Sequence, residues 1–256
     1  NGDILIAMSI PVAKCCQMAG LNSDTFFPSC PEQVFGMIIA RGHWEPETRR
    51  YRFRFSKPVV ISDLQSSRGI DEPTLAELPN GRIVVVFRGS NLHFPPWRTR
   101  IEPGIPGFKW YTWSDDGGQT FTAPQPWHFD SGEVVYSSAS ISKIFKSEKN
   151  HRHYWIGNIT DPTVTHGNFP RYPLHIVELD SRFGTAKAET LQIIDTRRQG
   201  ESKFLELSNF TLLQDRQSGV VEVYLAKCGM HSPDGPQDVH KGESWRYLLT
   251  LPPDEA

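Results

Sequence analysis

EPTLAELPNGRIVVVFR, residues 72–88, decides the fold. It begins as an alternating strand, turns at Pro79-Asn80-Gly81, and returns as a second strand that ends on Arg88. Alternation of period two around a short turn is the mark of a β-hairpin. After a long loop, GFKWYTWSDDGGQTF (residues 107–121) supplies another pair of strands around Asp116-Gly117-Gly118. The stretch from Glu72 to Phe121 therefore reads as one four-stranded antiparallel unit.

The rest of the chain repeats that unit. Residues 1–62 hold NGDILIAMSI, a long loop, VFGMIIARGHW and YRFRFSKPVVIS. Residues 63–127 are the complete unit. Residues 128–196 hold SSASISKIF, HRHYWIGNI, RYPLHIVELD and AKAETLQIID. Residues 197–256 hold LSNFTLLQD, VVEVYLAKC and WRYLLTL, the last a candidate for either the third or the fourth strand. Glu72, Ser137 and Leu207 mark equivalent positions, 65 and 70 residues apart. Four short strands per period predict an all-β protein, a β-propeller of four-stranded antiparallel blades, within one domain spanning 1–256. A β-sandwich would not repeat in this way. NGDILIAMSI reads as a turn and second strand whose first strand is absent, so the expectation is an N-terminally incomplete domain.

Composition agrees with a globular β protein. Of 256 residues, 38% are hydrophobic and 22% charged, which argues against disorder. A net charge of -2, with no basic cluster, gives no footprint for nucleic acid. No apolar run is long enough to span a membrane. Cys15, Cys16 and Cys30 share one loop. Either a disulfide to Cys30 in an oxidising compartment or free structural thiols would fit. No zinc spacing is present, and His151-Arg152-His153 alternates without convincing partners, so no metal or cofactor is expected.

Antiparallel order sorts the loops by parity. Short turns at Pro79-Asn80-Gly81, Asp116-Gly117-Gly118 and Ser218-Gly219 fall on one face. Long loops over about 10–34, 89–106, 160–170 and 229–244 fall on the other. Long loops on a rigid scaffold are where binding and catalysis concentrate. Those loops carry His93, Trp97, Arg98, Arg100, His166, His231 and His240. Arg88 and Arg171 stand at strand ends feeding the same face, and Glu72, Tyr136 and Asn209 at strand starts.

Ser114-Asp115-Asp116-Gly117-Gly118-Gln119-Thr120-Phe121 fits the Asp-box pattern, Ser-x-Asp-x-Gly-x-Thr-Trp/Phe. Its physical reading is a turn in which Asp116 accepts amide hydrogens and Gly118 takes positive φ. With this motif and the repeat, the chain resembles the sialidase (neuraminidase) superfamily, whose fold is a six-bladed propeller. The resemblance covers essentially the whole chain and implies a fragment lacking the first two blades. It further implies that Arg88 and Arg171 belong to a triad gripping a substrate carboxylate, and that Glu72 supports the nucleophile. A planar guanidinium matches a carboxylate in bidentate fashion. The sequence departs from the pattern at Leu207, where the superfamily places its tyrosine nucleophile. A Tyr-Ser pair occurs one unit earlier, at Tyr136-Ser137.

The resulting expectation is a secreted or periplasmic exo-glycosidase acting on the terminal acidic sugar of a glycan. Glu72 and Tyr136 are the catalytic candidates. Arg88, Arg171, His93, His166 and Asn209 are the substrate-binding candidates. A propeller lyase on uronic-acid glycans, with His or Tyr as base, and a non-catalytic glycan-binding propeller are the alternatives.

Overall fold

A computed structural model describes residues 2–28, 34–92, 100–232 and 242–254 of the chain. His93, Trp97, Arg98, His240 and Cys30 lie outside the described residues. The chain forms two compact units, Asn1–Ile105 with Trp110–Pro126, and Pro106–Lys109 with Trp127–Ala256. Among the described residues its strands form four antiparallel sheets.

In the first unit, β1 (Ile4–Pro11), β2 (Phe35–Glu45) and β3 (Arg50–Phe55) form a three-stranded sheet in that order. Between β1 and β2 the sequence reading expects a loop, and the structure places two helices there. The first, α1 (Val12–Ala19), buries Val12, Cys15 and Cys16, which recur at i, i+3 and i+4. It stops at Gly20, whose φ of 69° is left-handed. The second, α2 (Ser23–Phe26), is capped by the Asn22 side chain, which accepts the Asp24 amide at 2.9 Å. Helix α1 is hard to read from sequence because its buried face is only Val12, Cys15 and Cys16, too short an apolar pattern to stand out within a long loop. Cys15 and Cys16 are buried free thiols. Burial pushes the Cys15 thiol up to about 12. A Cβ on Gly36 would lie 2.6 Å from Cys15 Sγ, so a glycine in β2 is what lets the helix seat so closely.

The second sheet runs in the order β4 (Asp71–Glu77), β5 (Ile83–Arg88), β6 (Lys109–Ser114), β7 (Gln125–Pro126). This is the hairpin pair predicted from residues 72–121. Glu77 faces Ile83 across the turn, and Gly81 there has a φ of 84°. Ile83 to Phe87 are all fully buried, on both faces of the strand.

In the second unit, β8 (Lys143–Lys146), β9 (His153–Asn158), β10 (Leu174–Glu178) and β11 (Gln192–Asp195) form a sheet ordered β11-β10-β9-β8. The inner strand read from Ser137 shrinks to β8. The backbone of 136–139 instead bonds outward, with Ser137 N donating to Gly107 O, Thr160 N to Tyr136 O and Ala139 N to Gly167 O. The last sheet has three strands, β12 (Thr211–Gln214), β13 (Val221–Lys227) and β14 (Glu243–Leu249). WRYLLTL is thus its third strand, pairing with β13 through Trp245 and Leu225.

One backbone contact recurs and corrects the period. Ile70 N donates to Phe35 O, Ser137 N to Gly107 O, and Leu207 N to Arg171 O, at 2.7–2.9 Å. Ile70, Ser137 and Leu207 are therefore equivalent, and Glu72 stands two residues beyond that position. Asn209 is its counterpart: both have left-handed backbone, φ 46° and 57°. Tyr136 corresponds to Glu206.

Burial of His175 makes the second unit sensitive to acid. It is 7% exposed on β10 and accepts the Ile159 amide at Nδ1 over 3.4 Å, which requires the neutral ring. Burial pushes its pKa down to about 4, against the opposing effect of a hydrogen bond to the Pro173 backbone. The unfolded chain takes up this proton first, near pH 6.5, so the contribution is fully present above that pH and lost as pH falls toward 4. The loss is on the order of 3 kcal/mol. Urea midpoints measured from pH 7 to 4 should fall less steeply in His175→Gln.

Candidate functional site

In the first unit, the bulge between Asp71 and Thr74 brings two acidic residues to one arginine. Arg88, at the end of β5, is 8% exposed. Its Nη1 donates to Glu72 Oε2 at 2.8 Å, and its Nη2 lies 3.2 Å from Asp71 Oδ2. Arg68 approaches Asp71 from the other side at 3.9 Å. The left-handed backbone of Glu72 turns its carboxylate toward Arg88. Its side chain is 31% exposed. Glu72 and Arg88 are thus joined as an ion pair, with Asp71 as a partner that alternation alone does not single out.

The second unit holds four of the remaining candidates, two of which, His166 and Arg171, stand in the loop that precedes β10. Arg171 Nη1 donates to Glu206 Oε2 at 2.6 Å, its Nε to Asn168 O at 3.1 Å and its Nη2 to Ala139 O at 3.4 Å. Both ends of the pair are largely buried, 11% and 12% exposed. Arg171 also forms a backbone bridge to Glu206. Glu206 escaped the sequence reading, although it precedes Leu207 as Tyr136 precedes Ser137. Tyr136 is half-buried, and its hydroxyl has no hydrogen-bond partner among the described residues. Asn209 is exposed.

His166 opens a turn closed by Phe169, the two exchanging backbone hydrogen bonds of 2.9 and 3.1 Å. The same loop is braced by Thr160, whose hydroxyl pairs with that of Thr165 at 2.7 Å, and by Thr165 donating to Asp161 O at 2.6 Å. Against it lies a cleft of about 600 Å³. Its floor is Phe169, Pro170, Tyr172, Pro173 and Phe204, all half-buried, and its rim is Asp161, Val164, His166 and Lys203, all exposed. Phe169 and Phe204 meet edge to face with centroids 5.5 Å apart. The Lys203 ammonium sits 5.2 Å over the Phe204 ring, and the Arg197 guanidinium 5.4 Å over Tyr172. Asp161 accepts the amide and hydroxyl of Thr163, which hold its carboxyl below the usual range, so it stands in the rim as an anion. Of the described candidate residues, His166 alone lines this cleft. The aromatic floor was not singled out because Phe, Tyr and Pro in a loop read as packing residues.

No family model matches the chain, and no curated protein matches its sequence. Solved structures show a distant likeness. A protein of unknown function from Dyadobacter fermentans is 15% identical, with a TM-score of 0.47 over 90% of this chain and 60% of its own. The NanB sialidase from Streptococcus pneumoniae is 12% identical, with a TM-score of 0.49 over 84% of this chain and 28% of its own. A xylan β-1,4-xylosidase from Bacillus halodurans is 14% identical, with a TM-score of 0.46 over 98% of this chain and 40% of its own. This chain thus spans less than two thirds of the length of each. None of the three reaches a TM-score of 0.5, and none assigns a chemistry to this chain.

Among the described residues no cluster of His, Cys, Asp and Glu could hold a metal ion, and no helix is long and apolar enough to cross a membrane. The Asp116 turn is built as its sequence predicts. Asp116 accepts the Thr120 hydroxyl at 2.6 Å, the Thr120 amide at 3.0 Å, the Ser114 hydroxyl at 2.7 Å and the Gln119 amide at 2.9 Å. These bonds, Thr120 foremost, hold its carboxyl far below the usual carboxylate range. Every one of its contacts closes the turn, so the role is structural.

Proposed function

We propose that this chain is part of a glycan-acting protein, an exo-glycosidase of sialidase-like propeller type, secreted or periplasmic, whose four sheets are blades of one propeller. The observation that carries this reading is the cleft of the second unit. A pyranose has an apolar C–H face and a polar rim, and the cleft offers aromatic and proline surfaces below with charged groups above. Lys203, with the exposed His166 ring as a further hydrogen-bonding group, offers an acidic substituent of such a sugar its place on the rim, opposite the single carboxylate of Asp161 among the lining residues. Each unit carries one group proposed for chemistry on the resemblance alone, Tyr136 in the second, with its hydroxyl unengaged among the described residues, and Glu72 in the first, which uses only Oε2 on Arg88; neither lines the cleft.

Turnover and binding of sialosides and uronic-acid glycans by the full chain test this. Phe204→Ala or Tyr172→Ala should weaken binding about tenfold, or about 1.4 kcal/mol. Lys203→Ala should lower the preference for acidic over neutral sugars. Glu72→Gln and Tyr136→Phe should stop turnover while binding survives. Unchanged binding in both aromatic variants would refute the cleft as the sugar seat.

A second reading, glycan binding without turnover, has a specific observation in its favour. Arg88 and Arg171 are each already matched by carboxylates of the chain itself, and Leu207 is fully buried where the superfamily has its tyrosine. Any measurable hydrolysis by the purified chain would eliminate it.

A further inference from the structure

The first unit contains a second cavity, of about 610 Å³, between the end of β3 and the Asp116 turn. Three cations line it, Arg41, Arg54 and Lys57, with Asp116 as the sole carboxylate and Phe55 as an exposed ring, 58% accessible. The walls are fixed. Arg41 Nη1 donates to Gly117 O at 2.9 Å, its Nε pairs with Asp3 at 2.7 Å, and Lys57 N donates to Gln119 O at 2.8 Å. A Cβ on Gly117 would come within 3.0 Å of Arg41 Nη1, and its φ is 72°, so this close seat needs glycine.

The charges of this cavity are unevenly matched. Arg41 is shared with Asp3, and the Asp116 carboxylate is turned inward onto Thr120, Ser114 and Gln119. The neighbouring Asp115 is held by a bidentate pair to Arg82, at 2.7 and 2.8 Å. Arg54 and Lys57 are exposed, and among the described residues neither side chain has a hydrogen-bond or ion-pair partner. Two unmatched cations beside a fixed third, next to an accessible ring, select an anionic group carried on a ring-shaped body. The chain as a whole is weakly acidic, so no general cationic field accounts for the cluster.

We propose that this cavity is a binding site for an anionic sugar residue, one bearing a sulfate or a carboxylate, separate from the cleft of the second unit. Arg54 and Lys57 hold the anionic substituent, Arg41 adds its remaining donors, and Phe55 covers one face of the sugar ring. The proposal stands on the lining of this cavity and does not depend on the reading of the other.

Calorimetric titration of the full chain with glucose 6-sulfate, glucuronate, glucose, inorganic sulfate and adenosine monophosphate tests it. Glucose 6-sulfate and glucuronate should bind and glucose should not, with affinity falling as salt rises. Comparing the two acidic sugars tells which substituent is preferred. Arg54→Ala with Lys57→Ala should weaken binding at least tenfold, and Phe55→Ala about fivefold. Because neither cation has a partner among the described residues, the double variant should melt with the wild type, so a loss of binding is not a loss of fold. The titrations are repeated on Phe204→Ala, in which the cleft of the second unit is weakened, so that sugar bound there is told apart from sugar bound here; Arg216→Ala, exposed and outside both cavities, should leave them unchanged. Unaltered binding in the double variant overturns the proposal. So does inorganic sulfate binding as tightly as the sulfated sugar, or adenosine monophosphate binding more tightly than either acidic sugar.

Discussion

Trp127→Ala should cost the second unit about 3–5 kcal/mol of stability, the range for truncating a large buried aromatic. Trp127 is fully buried, its ring centroid lies 5.1 Å from that of the equally buried Trp155, and its indole N–H donates to Gly184 O at 3.0 Å. The variant loses apolar contact, opens a cavity against a second rigid ring, and leaves a carbonyl without its donor. Trp127→Phe keeps most of the contact and should cost roughly half as much. Urea unfolding followed by far-ultraviolet circular dichroism reads the effect as a lower midpoint at unchanged slope. A shift worth less than about 1 kcal/mol would mean that the neighbours close over the void.

The second large effect separates two roles for Arg171. If the guanidinium serves mainly to neutralise Glu206, Arg171→Met strands a largely buried carboxylate and should destabilise by about 3–5 kcal/mol. Glu206→Gln should do nearly as much, by leaving the cation unmatched. Removing both charges, in Arg171→Met with Glu206→Leu, should restore much of the loss, because two buried charges cost solvation that apolar groups do not. A double-mutant cycle of unfolding free energies reads this directly. If Arg171 instead serves a ligand, Arg171→Met unfolds within about 0.5 kcal/mol of wild type and loses its acidic glycans. The same cycle on Arg88 and Glu72 asks the question of the first unit.

How much of this was legible follows the kind of force involved. The hairpin at 72–88 and the Asp116 turn were readable because both are local: alternation, a Pro-Asn-Gly turn, and an aspartate two to four residues from its donors. An unbroken hairpin register from Glu77 and Ile83 would set Glu72 opposite Arg88; the bulge puts Asp71 there instead, and no local pattern in the sequence announces that shift. Glu206 beside Arg171 was not, since the two are 35 residues apart and meet through a bridge between segments. Helix α1 was hidden by its brevity, eight residues with a buried face of Val12, Cys15 and Cys16. The aromatic floor at Phe169, Tyr172 and Phe204 was hidden because loop aromatics carry no periodicity. The equivalence of Glu72 with Asn209 needed backbone angles, which no composition reveals.

Strand β3 is exposed along its whole length and is the outer strand of its sheet. It alternates Arg50, Arg52 and Arg54 with Tyr51, Phe53 and Phe55. Aromatics of this kind on an open edge invite pairing with another chain, and like charges at every second residue oppose it. The arginines thus act as a brake on strand addition, and the brake is only electrostatic. Concentrated salt or a polyanion laid along the edge weakens it, so self-association through this strand should rise with salt although the net charge of the chain is only -2.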